Sequence, residues 1–104
     1  MELGTALSHI EEIRFDIISR YNKLQALMKK NNAISDGDKK RAVDYATKVS
    51  QKADQHYTNV KDKVTKLNQS NKLGKQIVSY IKSIHGYRDK IYIICDYQDE
   101  QHKE

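Results

Sequence analysis

Proline and tryptophan are absent from this 104-residue chain, cysteine and phenylalanine occur once each, and glycine four times. Without proline, and with so little glycine, almost nothing forbids long helices. The single cysteine, Cys95, excludes an internal disulfide and fits a reducing compartment. Long apolar runs are missing too. The longest is the five residues 91–95, against the roughly 20 that a membrane-spanning helix needs. The opening Met-Glu-Leu-Gly-Thr has neither the basic nor the apolar stretch of a secretory signal, so a cytoplasmic location is expected. Leu, Ile, Val and Phe together number 23, which suffices for one thin core. A large catalytic fold around a deep pocket is therefore excluded.

What is present is charge and helical periodicity. Charged residues make up 32% of the chain and its mean hydropathy is −0.86. At about 100° per residue the apolar positions fall into three stripes. The first is Ala6, Ile10, Ile13, Ile17, Tyr21, Leu24 and Met28, with Thr5 or Ser8 as a possible N-cap. The second is Ala42, Ala46, Val49, Ala53, Tyr57, Val60, Val64 and Leu67, preceded by the turn chemistry of Ser35-Asp36-Gly37-Asp38, where either aspartate could cap. The third is Leu73, Ile77, Tyr80, Ile81, Ile84, Tyr87, Ile91 and Cys95, with Ser70 or Asn71 as cap. Between the second and third stripes the phase jumps by more than about 100° at residues 68–71, which argues for a turn. The pattern predicts an all-α, antiparallel three-helix bundle with helices at about 5–31, 38–69 and 72–97. One domain spans 1–104, with a polar C-terminal tail at 98–104. The lesser alternative is a partly continuous helix 2–3 whose apolar face changes side.

The net charge of +5 is concentrated in residues 36–75, which hold ten basic and five acidic groups. Lysine outnumbers arginine 15 to 4, and bidentate phosphate or base recognition favours arginine. Lys48, Lys52, Lys61, Lys63 and Lys66 are the candidate contacts if nucleic acid is the partner. Interleaved Asp44, Asp54 and Asp62 make a solvated helix face the simpler account. The Lys, Asn, Ile and Tyr bias points to an A+T-rich genome, such as that of a Gram-positive bacterium or its phage.

Some apolar residues point away from the stripes. Phe15 lies about 160° from the centre of the first, Ile18 about 100° from it, and Val78 is far from the third. Around Tyr92 and Ile93 the helix is apolar on every side. Aromatic anchors on a rigid helix face are what binding hot spots use, so Phe15, Ile18, Val78, Tyr92 and Ile93 are the candidate protein-binding residues. An irregular bundle that buries them is the competing account.

Motifs for chemistry are few. No Gly-rich phosphate loop, G-x-S-x-G or H-E-x-x-H occurs. A dimetal bundle needs two Glu-x-x-His motifs, and none is present. His9 with Glu12 and Asp99 with His102 are only pairs, while His56 and His85 stand singly. Cys95 sits on an apolar stripe, which makes it an inert thiol. Chorismate-mutase-like bundles turn several cations inward on all helices, whereas here only Arg14, Arg20 and Arg88 approach that. No catalytic residue, metal ligand, cofactor or small-molecule substrate is expected. The expectation is a non-enzymatic helical interaction module, of the accessory, immunity or inhibitor kind found in bacteria and phages. It would bind a protein partner or itself, as a dimer. A nucleic-acid-associated protein and a structural subunit of a larger helical assembly are the alternatives.

Overall fold

Each apolar stripe can be removed from water only by packing against the other two, and the chain does this with three helices. A computed structural model describes residues 2–30, 34–66 and 71–97. Helix α1 is Leu3–Lys29, α2 is Asp36–Lys66 and α3 is Asn71–Ile94. Cross-helix contacts give the directions. Arg14 reaches Ser83 while Tyr21 meets Tyr87, so α1 and α3 run parallel. His9 meets His56 while Arg20 meets Tyr45, so α2 runs against α1. Asp54 pairs with His85 and Thr47 with Tyr92, so α3 runs against α2. The result is an up-down-up bundle in which every pair of helices packs together.

The core is one cluster. Ile10 and Ile17 from α1, Val60 from α2, and Ile77, Ile84 and Ile91 from α3 are fully buried. Ala42, Ala46 and Ala53 complete α2's seam. Bulky isoleucines on two helices against small residues on the third make complementary layers. At one end Gly74 lets α3 approach α2, since a Cβ there would sit 3.2 Å from Val64 Cγ1. Ser50, the one polar residue buried in the core among the described residues, donates its hydroxyl to the Thr47 carbonyl at 3.0 Å. This is the local bond that makes a helical serine tolerable in apolar surroundings.

Several expected details differ. Helix α1 starts at Leu3, before Thr5 and Ser8, and its N-cap Glu2 makes no side-chain capping bond. At α2 the cap is Ser35, whose Oγ accepts from the Asp38 amide at 3.2 Å. Asp36, Gly37 and Asp38 already belong to the first helical turn. Asn71 opens α3, while Ser70, Leu67 and the tail at 98–104 lie outside the described residues. Because α2 ends at Lys66 and α3 packs back antiparallel on it, a helix running straight through both is excluded. Met28 and Leu73, assigned to the stripes, are exposed near the ends of their helices.

Candidate functional site

Helix α1 has its buried positions on one side, leaving residues 8, 11, 12, 15, 19 and 22 facing outward. Phe15 projects there with 70% of its surface exposed. Ile18, one turn on, is half-buried and leans on the core. Together with Ser8, Glu11, Glu12, Arg14, Ser19 and Asn22 they form an open surface on α1 alone. Arg14 contributes its stem only. Its guanidinium is drawn back to α3, where Nε donates to Ser83 Oγ at 3.1 Å and the Tyr80 ring lies 5.0 Å below it. The charges left on this face are Glu11 and Glu12, so on a basic protein this surface is locally acidic.

Val78 lies elsewhere. With Val64 and Gly74 it floors an open groove, of about 420 Å³, along the α2–α3 seam, flanked by Lys75, Ser79 and Lys82. Ile93 is 75% exposed on the outer face of α3, opposite the buried Ile84 and Ile91. Tyr92 does not join a surface patch: it is 7% exposed, with its hydroxyl bonded to Thr47 and its ring beside Tyr97. Of the apolar run at 91–95, Ile91, Tyr92 and Cys95 are buried and Ile94 is half-buried, leaving Ile93 outside. The five candidate positions thus occupy three separate surfaces and one buried site.

The lysines do not form one stripe either. Lys48, Lys52 and Lys63 fall on the outer α1 side of α2, whereas Lys61 lies roughly 160° around the helix from Lys63. Lys66 is in the last turn of α2, and its side chain is outside the described set. Among the described residues the candidate lysines are thus divided between two sides of α2.

Sequence reading missed one cluster. The rings of His9 and His56, 47 positions apart, stack face to face at 4.8 Å between centroids and 7° between planes. His56 Nδ1 is buried without a hydrogen-bond partner. Burial, then the neighbouring His9 and Lys52, hold the His56 imidazole below its ordinary pKa. Among the described residues no three His, Cys, Asp or Glu side chains come together to hold a metal ion. No sequence signal announces the pair, because it follows only from the antiparallel register of α1 and α2. Burial likewise pushes the Cys95 thiol up, which disfavours the reactive thiolate. Among the described residues no helix is long and apolar enough to cross a membrane. Compared with protein families, curated proteins and solved structures, the chain matches none.

Proposed function

We propose that the protein is a non-enzymatic interaction module that binds a protein partner through the outer face of α1. The observation that carries this reading is Phe15. The chain's only phenylalanine stands 70% exposed on a rigid helix, beside Ile18 and on a surface whose charges are Glu11 and Glu12. Burying such a ring in a fitted pocket is worth about 1.5–3 kcal/mol, enough for a hot spot. Acidic flanks select the occupant: a protein surface with an apolar pocket bordered by lysine or arginine. Polyanions are repelled from the same place.

Capture from the native cells tests this, with wild-type protein and Phe15→Ala as baits, with and without nuclease. A stoichiometric protein that survives nuclease and is lost with Phe15→Ala, at unchanged helicity and melting temperature, is the expected result. Recovery of nucleic acid as the sole specific component, or equal capture by the variant, would overturn it.

A further inference from the structure

The outer face of α1 and the groove on the α2–α3 seam are complementary to one another. On α1, an exposed aromatic projects with carboxylates three and four residues before it, Glu12 and Glu11. On the α2–α3 seam, an apolar floor at Val64 and Val78 is bordered by ammonium groups three residues before and four after Val78, at Lys75 and Lys82. One helical turn, about 5.4 Å, therefore separates the apolar centre from the charge on each surface. With Phe15 seated over Val78, both carboxylates fall on one side of the ring, so they meet Lys75 if the two helices run parallel and Lys82 if they run antiparallel. Among the described residues none of these four charges is engaged in an ion pair.

We propose that the protein docked on α1 is a second copy of this chain: Phe15 of one molecule enters the Val64–Val78 groove of the next, with Glu11 and Glu12 paired to whichever of Lys75 and Lys82 lies on their side of the ring. This rests on the reading of Phe15 as a binding residue and names its partner. Gly74 supports the receptor side. Its missing side chain lets α3 press on Val64, the other wall of the groove that Gly74 itself lines.

The two surfaces lie on opposite sides of the bundle, one on the outer face of α1 and the other on the seam of the two helices that back it. Each copy therefore donates with one face and accepts with the other. Such a contact is heterologous, and it propagates as a chain unless a rotation closes it into a ring. The assembly grows with concentration beyond a dimer.

The test is sedimentation of the purified full chain over a concentration series, at about 0.05 M and about 0.5 M salt. Expected is an average mass that rises past twice 12.1 kDa at low salt and falls back toward the monomer at high salt. Phe15→Ala, the double variant Glu11→Lys/Glu12→Lys, and the double variant Lys75→Glu/Lys82→Glu should each be monomeric with unchanged helicity. Mixing the two charge-reversed variants decides the matter. Each then offers the face that the other lost, so association returns in the mixture alone. A wild-type chain that stays monomeric at every concentration overturns the proposal, as does a mixture that fails to associate. The reading of Phe15 falls separately, if Phe15→Ala captures the same protein from cells as the wild type does.

Discussion

His56 holds a titratable ring where α1 meets α2, and its buried, unpartnered Nδ1 makes the charged form costly there. Its folded-state pKa lies below the ordinary value of 6.5, because of burial first and then of His9 and Lys52. Below pH 6.5 the unfolded chain takes up a proton that the folded one resists, so this contribution to stability is present above 6.5 and is lost as pH falls toward the folded-state pKa. Melting curves at about pH 7.5 and about pH 5.5 should show an acid-induced drop that His56→Gln, neutral at both, reduces. An undiminished drop would place the acid sensitivity elsewhere. Core truncation acts by a different mechanism. Ile84, fully buried on the α3 stripe, should lose about 2–5 kcal/mol as Ile84→Ala in denaturant unfolding. That role was legible from 3-and-4 spacing. Tyr92 was not, because a ring at the edge of a stripe is buried or exposed according to whether a neighbouring helix offers a partner, here the Thr47 hydroxyl.

Helices make the next scale. Gly86 lies in the interior of α3, and a Cβ added there meets nothing within 4 Å. Gly86→Ala should therefore stabilise by about 0.5–1 kcal/mol through the lower entropy of the unfolded chain, read as a rise in melting temperature. Gly74 is its opposite, since a methyl there pushes against Val64. On α2, the Ser35 hydroxyl accepts from the Asp38 amide, so Ser35→Ala should cost about 0.5–2 kcal/mol. Beside it Arg41 pairs with Asp38 and, ahead of Ser35, holds that carboxyl below its usual range. The existence and phase of all three helices were readable, because periodicity is set by which side chains must leave water. Their ends were less so. Serine and aspartate both serve as caps, and only the backbone path decides which hydroxyl or carboxylate reaches the amide.

At the scale of the whole molecule, charge is distributed by face. Glu11 and Glu12 lie beside Phe15, Lys75 and Lys82 border Val78 across the bundle, and Lys48 and Lys52 stand apart on α2. Raising salt should weaken association through the first two faces, whereas Lys48→Glu/Lys52→Glu should leave it unchanged. Loss of association in that variant would mean that net charge, rather than the two faces, drives it. Phe15 and Ile18 were legible as misplaced apolar residues, and the lysine pair around Val78 was not. A pattern of lysine, valine and lysine at three and four spacing is common on solvated helices, and it becomes a groove only where a second helix supplies the opposite wall.

Sequence by itself determined the all-α class, the three stripes and the residues that could not be satisfied by their own helix, since these follow from propensity and from 3.6-residue periodicity. Tertiary structure alone decided which of those residues were covered. Tyr92 went inside, Phe15 and Ile93 stayed out, and His9 met His56. The physical reason is that burial is a relation between elements. One helix's pattern says which face must be hidden, but the register and approach of its neighbours decide how far the cover extends.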